Sequence, residues 1–397
     1  MSDLNKHYQL IVVGAGPAGS NAALTAARAG LDVLLIERDA EIGQPLACAE
    51  AVTLEGLSGF IPPNPSFIST ELRGIEFNVG DAYCRKRTFG ETLGLILDRP
   101  VFDRHVADMA VKEGVRLLTQ AYGRGLEMNP KGPARLDIVT TRGNRTVAAD
   151  YVIAADGVES LIGRQAGLET ELKLDQCESA LQYRVSNIDI DQHCFSFYFG
   201  LNIAPGGYLW LFPKSANSAN VGIGLNPTRF HGLDLRHFLD NFLEKRFPGA
   251  KIEFRSCGQV PKFIGFELLG RENLLLAGDA ARTLDSVAGA GIAKALHTGQ
   301  LAAQAVISAI EKKLDNNELQ KIYRQTVNEQ IGRDLRFCRA AYPVFRKFND
   351  RDWESLIDFL LKLAESRKTG ASIDPVSMVK LALAGTPSLL RLARHLL

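Results

Sequence analysis

Leu10-Ile-Val-Val-Gly14-Ala-Gly16-Pro-Ala-Gly19 is followed by an alanine-rich stretch from Ala22 to Ala29, then Gly30, then Asp32-Val-Leu-Leu-Ile-Glu37. The opening apolar run reads as a buried strand, the alanines favour helix, and Gly30 ends it. The second apolar run needs both faces covered, as in a parallel sheet. A strand–helix–strand unit results. Gly14 allows a tight turn, Gly16 lets a pyrophosphate approach the backbone, and Gly19 permits close helix packing. The helix N-terminus adds free N–H groups and a positive dipole end. Glu37, 18 residues after Gly19, stands where a carboxylate accepts hydrogen bonds from ribose hydroxyls, which implies a free 2′-hydroxyl. Ala18 and Arg38 belong to the same set of cofactor-contact positions. The pattern predicts a bound dinucleotide and leaves NAD and FAD both open.

Outward from this unit, residues 38 to about 95 read as irregular, with turn signals such as Pro62-Pro-Asn-Pro65, and so as connections over a binding site. Val101 to Lys112 is an amphipathic helix. Strands are expected over 115–128 and 134–141, then at Tyr151-Val-Ile-Ala-Ala155. Between about 175 and 265 come four β-type runs, 179–185, 194–199, 208–212 and 220–225, with one helix near 235–245. Asn273-Leu-Leu-Leu-Ala277 restores a buried strand, and Ile292 to Lys312 is a long helix. The expected organisation is therefore a first domain over 1–170 that resumes at 269–312, an inserted antiparallel sheet domain over 171–268, and helices over 313–397.

The 397 residues are 46% apolar and 23% charged, and 46 Lys+Arg nearly cancel 45 Asp+Glu. That balance excludes disorder and gives no support to a nucleic-acid-binding face. The six cysteines form no C-x-x-C pair, so neither a metal centre nor a disulfide scaffold is expected. Without a charged-then-apolar leader or a run of 18 apolar residues, the chain reads as a cytoplasmic protein.

Two later motifs place Asp beside Gly at strand ends: Ala155-Asp156-Gly157, and Leu276-Ala-Gly278-Asp279-Ala. With the N-terminal glycines they resemble the three fingerprints of the flavoprotein family typified by p-hydroxybenzoate hydroxylase, and the resemblance selects FAD. It implies a Rossmann-type, glutathione-reductase-like FAD-binding domain carrying an antiparallel substrate domain, an α/β plus β architecture. It also implies that Asp279 holds a ribitol hydroxyl, that Asp156 supports the site from behind, and that Arg99 contacts the flavin side. Gly289-Ala-Gly291 opens the helix at Ile292, whose N-terminus would stabilise negative charge on the reduced ring. The family has Pro where Ser286 stands. A second G-x-G-x-x-G is absent, so the electrons are expected from transiently bound NAD(P)H or from a protein carrier such as ferredoxin.

Pro205-Gly-Gly-Tyr208-Leu-Trp210-Leu-Phe212-Pro213 resembles the P-x-x-Y-x-W-x-F-P signature of geranylgeranyl reductases. Cys48-Ala-Glu50 is similar to a loop that archaeal members place near the flavin, with Ala49 where they have Gly. In a strand Tyr208, Trp210 and Phe212 point to one face, an aromatic wall for an apolar chain. The resemblance implies reduction of prenyl C=C bonds in a geranylgeranyl lipid, quinone or diphosphate. Hydride from flavin N5 reaches one carbon and a proton the other. Tyr208 and Trp210 would stabilise the cation character between them, and Cys48 and Glu50 are the two candidate proton sources. A flavin monooxygenase or halogenase of the same superfamily, and a non-enzymatic prenyl-binding module, stay open as rivals. The helices at Trp353 to Leu363 and Leu389 to Leu397, the latter with Arg391, Arg394 and His395, are candidates for peripheral attachment to the cytoplasmic face of a membrane.

Overall fold

The structure, a computed structural model, describes residues 5–226, 228, 234–285 and 287–366. Ser286 and the basic helix expected at Leu389 to Leu397 lie outside the described residues.

The strand–helix–strand unit forms as expected. His7–Val13 runs parallel to Val33–Ile36 on one side and to Gly143–Ala154 on the other. Leu274–Leu276 extends the parallel set beside Gly143–Ala154, and Arg116–Leu118 extends it beside Val33–Ile36. Ala121–Glu127 and Ala134–Thr140 pair antiparallel behind Gly143–Ala154 and complete an eight-stranded sheet. All four residues of Val33–Ile36 are buried, because helices and the antiparallel extension cover both faces. The C-terminal strand ends are laced together: Gly14 N–H donates to Ile36 O (2.8 Å), Ala155 N–H to Val13 O (2.8 Å) and Ala277 N–H to Ala154 O (3.0 Å). A ligand cleft opens at such ends in a doubly wound sheet.

The returning helix Ile292–Lys312 packs on Pro17–Arg28 so closely that a Cβ on Gly299 would lie 2.0 Å from Ala18 O. That glycine joins the two separated parts of the first domain.

A seven-stranded sheet forms the second body, in the order Lys251–Pro261, Cys177–Ser186, Ser218–Leu225, Tyr208–Ser215, Cys194–Phe199, Gly74–Val79, Tyr83–Thr88. Its outer strands depart from the sequence reading. Residues 74–88 belong to this sheet through a parallel pairing of Gly74–Val79 with Cys194–Phe199, so 38–95 is not irregular and the first domain does not hold all of 1–170. A further small sheet takes Ala51–Thr53, Ile68–Leu72 and Gly94–Leu97. These strands are short, and Tyr83–Thr88 is an exposed edge, Tyr-Cys-Arg-Lys-Arg-Thr, with little apolar signal. Lys251–Pro261, which the sequence reading also passed over, is nearly all exposed.

The two faces of the seven-stranded sheet divide the labour. Odd-numbered residues of its central strands, including Tyr183, Val185, Leu209, Leu211, Val221 and Ile223, pack under the helix Leu235–Arg246. Even-numbered residues of those strands, joined by the odd-numbered Phe195 and Phe197 of Cys194–Phe199, form the opposite face, toward the first domain. The helix Asp350–Ser366 then lies across the far edge, with Trp353 stacked on Phe199 at 4.2 Å and Ile357 buried against Val79.

Candidate active site

Each fingerprint glycine meets the constraint expected of it. Gly14 has φ +99°, and a Cβ there would lie 2.3 Å from Ala155 O; on Gly19 it would lie 1.8 Å from Gly14 O; on Gly16 it would meet nothing within 4 Å. The first and third positions are closed by backbone, and the second stands open for a ligand. A cleft of about 260 Å³ runs from here, lined by Gly14, Gly16, Glu37, Arg38, Tyr122, Asp156, Arg99 and Cys48 among others. Glu37 uses Oε2 to accept from Ala15 N–H (2.8 Å) and Oε1 from Asp39 N–H (3.0 Å), which fixes the carboxylate at the cleft wall. Arg38, exposed, pairs loosely with Glu159 at 3.6 Å.

Asp156 Oδ2 accepts from Ile162 N–H (2.9 Å), while Oδ1 is buried and without a hydrogen-bond partner. Burial pushes its carboxyl up to about 6. An orphaned acceptor in a cleft wall is what a bound hydroxyl or an ordered water would satisfy. Burial also raises the Asp279 carboxyl, and the Arg99 guanidinium partly offsets it. Arg99 is held by a bidentate pair with Asp103 (both 2.8 Å). Gly278 (φ +64°) and Gly289 (φ +66°) turn the returning chain, and Gly291 opens Ile292–Lys312 with no side-chain cap, so the N–H groups at Ile292 are free to meet an anion. Open glycine, orphaned carboxyl oxygen and free helix N-terminus fit a long dinucleotide such as FAD.

The Cys48-Ala-Glu50 loop sits at the inner end of the cleft. Its left-handed residue is Glu50, φ +68°, and not Ala49, where the sequence reading looked for the need of glycine. Side-chain bonds hold that backbone. Glu50, fully buried, accepts from Arg99 N–H through Oε1 (3.0 Å), and through Oε2 from Arg184 Nη2 (2.5 Å), Lys214 Nζ (2.9 Å) and Asn220 Nδ2 (2.8 Å). Burial lowers the Lys214 ammonium from its ordinary value, and Glu50 opposes that shift. Glu50 therefore stitches the first domain to the sheet. Cys48, half-buried, accepts from Glu50 N–H at Sγ (3.2 Å), and its carbonyl accepts from Gln182 Nε2 (2.9 Å).

The aromatic wall is built as the alternation requires. Tyr208, Trp210 and Phe212 share a cluster with Phe195, Phe197, Leu72 and Ile96. Phe197 meets Tyr208 at 5.8 Å and Phe212 at 5.4 Å, both edge to face. Trp210 Nε1 donates to Gln182 Oε1 (3.0 Å), and the indole lies over Gly222 and Gly224, where a Cβ on Gly222 would come within 2.3 Å of Cζ2. Those glycines make room for the ring. Tyr208 Oη donates to Ala288 O (2.5 Å), tying the wall to the 285–291 loop, and burial raises its phenol.

Residues the sequence reading did not single out complete the far end: Glu178, Lys262, Tyr342 and Arg346. Tyr342 Oη donates to Glu178 Oε1, and Lys262 Nζ lies 3.9 Å from the same oxygen and 3.9 Å from the Tyr342 ring centre. Glu178 shares its strand face with Gln182 and Arg184, a period-two signal that could have pointed to it.

Residues 176–258, which hold this sheet face, match the family model of the geranylgeranyl reductase catalytic domain, and residues 9–182 match that of glucose inhibited division protein A. A digeranylgeranylglycerophospholipid reductase of Methanosarcina acetivorans is 40% identical over 89% of this chain and 88% of its own. The chain belongs to the geranylgeranyl reductase family. A second such reductase, from Methanococcoides burtonii, is 37% identical over 89% of the chain and 88% of its own. A geranylgeranyl bacteriochlorophyll reductase-like protein from Thermoplasma acidophilum superposes with a TM-score of 0.89 at 32% identity, over 99% of this chain and 100% of that one. The flavin-dependent halogenase PltM, solved with FAD, shares the fold alone: TM-score 0.69 at 16% identity, over 90% of this chain and 80% of that one. In this geranylgeranyl reductase family member the cleft is suited to a dinucleotide such as FAD.

Proposed function

We propose that the chain reduces the carbon–carbon double bonds of geranylgeranyl chains in an isoprenoid glycerophospholipid. The observation that carries this reading is the aromatic wall of Tyr208, Trp210, Phe197 and Phe212, hydrogen-bonded through Tyr208 to the loop that ends the cofactor cleft. The names of the relatives support the same substrate class.

FAD, when bound, supplies the hydride in its reduced form. Gly14, Gly16 and Gly19 admit its pyrophosphate, Glu37 takes ribose hydroxyls, Asp156 offers its orphaned oxygen, and the helix N-terminus at Ile292 steadies negative charge. An isolated prenyl alkene is not electrophilic, so tertiary cation character develops as it is protonated. The faces of Tyr208 and Trp210 offset that charge by about 2 kcal/mol in a dry site. The surrounding phenylalanines and Ile96 exclude water and align the chain.

Electrons come from transiently bound NAD(P)H or from a carrier protein such as ferredoxin, which is supported by the lack of a second glycine fingerprint in the sequence. The enzyme works in the cytoplasm and draws its lipid from the face of a membrane without crossing it; no helix among the described residues is long and apolar enough to do so. The helix at Trp353 spends part of its apolar face on the sheet, which leaves membrane contact to other parts of the chain.

Mass spectrometry of lipids incubated with the yellow protein and a reductant tests the reading. Mass gains in steps of one hydrogen pair per double bond are expected, and unchanged lipid masses with full flavin occupancy contradict it.

A further inference from the structure

Glu50, fully buried, and Glu178, 13% exposed, border the aromatic face, and their oxygens are engaged differently. Glu50 has three N–H donors on Oε2 and one on Oε1, two of the donors being cationic, so an added proton would face an N–H. Glu178 is placed differently. Tyr342 holds Oε1, whereas Oε2 has no hydrogen-bond partner among the described residues and lies 3.7 Å from the position a Cβ on Gly224 would take. Trp210 Cζ3 lies 3.6 Å from that same position. The indole N–H meets Gln182, and both the benzo edge of the ring and Glu178 Oε2 lie beside Gly224. Val260, the cross-strand partner of Glu178, and Tyr208 Oη both flank Gly289 of the cofactor loop. Glu178 Oε2 adjoins the wall at Gly224, and the wall reaches the cofactor loop through Tyr208.

We propose that Glu178 is the acid that protonates the alkene, with Tyr342 a positioning residue that holds Oε1 and leaves Oε2 to carry the proton. The assignment rests on the reductase reading above. The O–H bond of Glu178 breaks, a C–H bond forms at one alkene carbon, and the hydride closes the other. The electron pair enters with that hydride and originates in an external reductant, a nicotinamide or a redox carrier protein. The carboxylate then regains a proton from water at its exposed edge, its side chain being 13% exposed.

Burial raises the Glu178 carboxyl above its ordinary range; the Tyr342 hydroxyl, Lys262 and Arg346 pull it back. Lys262, pushed down to about 8 by burial, loses part of that opposing charge as pH rises. From the wall, Tyr208 faces Glu178 as a neutral phenol whose ionisation burial opposes.

The test is anaerobic single turnover of the reduced holoenzyme mixed with a geranylgeranyl glycerophospholipid, in water and in deuterium oxide. Glu178→Gln keeps an acceptor for Tyr342 and should retain the flavin spectrum and the melting temperature, yet slow alkene-dependent reoxidation by about 100-fold or more and lose the solvent isotope effect. Glu178→Asp should keep that isotope effect and the fall in rate as pH rises through the acid's pKa. Cys48→Ala should keep the isotope effect as well. Reoxidation of Glu178→Gln within about threefold of wild type, or an isotope effect lost only in Cys48→Ala, overturns the assignment alone. A wild-type flavin that no prenyl alkene reoxidises overturns the reductase reading and the assignment together.

Discussion

Glu50 and Glu178 border the same sheet face, yet one is saturated and the other half-free. Glu50 arrives on a loop of the first domain and is met by Arg184, Lys214 and Asn220 from three strands of the sheet. Glu178 is part of the sheet itself and meets a phenol and a more distant ammonium from elements beyond it. With four N–H donors on its carboxylate, three of them on Oε2, Glu50 is an anchor; Glu178, with Tyr342 on Oε1 and no partner on Oε2 among the described residues, is left free to act as a reagent. Glu50 is fully buried and Glu178 is 13% exposed, and their hydrogen bonding differs more than their depth.

The sharpest way to break it is to remove the anchor. Glu50→Gln leaves Arg184 and Lys214 facing a neutral amide, and should cost about 3–5 kcal/mol of stability, read as a large drop in melting temperature. If Glu50→Gln and Glu178→Gln melt together, the distinction fails. Asp156, a second half-satisfied carboxylate, extends the contrast into the cofactor cleft. Its folded pKa of about 6 exceeds the unfolded value of about 3.9, so the folded chain holds a proton that the unfolded chain has lost. Stability of the apoprotein should therefore fall as pH rises from about 4 to about 6 and level off above, by at most about 3 kcal/mol. Asp156→Asn should flatten that slope in pH-resolved melts; an unchanged slope would locate the proton elsewhere.

Smaller effects probe the wall between the carboxylates. A Cβ at Gly222 would come within 2.3 Å of Trp210 Cζ2 and 2.8 Å of Leu181 O, so Gly222→Ala should cost about 1–3 kcal/mol and displace the indole. Alkene-dependent turnover should drop while the FAD content of the purified protein stays full. Tyr208→Phe removes one hydrogen bond to Ala288, worth about 1 kcal/mol, and should loosen the 285–291 loop with only a slight shift in melting. A large loss of bound FAD in Tyr208→Phe would mean that the wall helps to hold the cofactor.

The cofactor half of the site was legible in the sequence because it is made of local constraints. Gly14, Gly16 and Gly19 fall in one turn within a few residues, where backbone closes the space at Gly14 and Gly19 and leaves it open at Gly16. The alternation of Tyr208, Trp210 and Phe212 is likewise local. What escaped was assembled across the chain. Glu178 reaches Tyr342 over 164 residues, and nothing near either residue announces the other. The spacing of Gly222 and Gly224 serves the indole on the neighbouring strand, which neither residue's own surroundings in sequence announce. Strands 74–79 and 83–88 were hidden because an edge carries charge in place of apolar alternation, and their parallel partner lies more than a hundred residues away. The proton question shows the same limit: Cys48 and Glu50 drew notice by adjacency in sequence, but hydrogen bonds from remote strands decide what Glu50 can do.

The proposed reaction hands the electrons to an alkene. It is tested most directly by mixing the fully reduced holoenzyme, free of oxygen, with a geranylgeranyl glycerophospholipid and following the flavin spectrum alongside the lipid mass. The expected result is reoxidation in step with lipid reduction, one flavin turnover for each double bond lost. A flavin that stays reduced until oxygen is admitted, with the lipid unaltered, would contradict it.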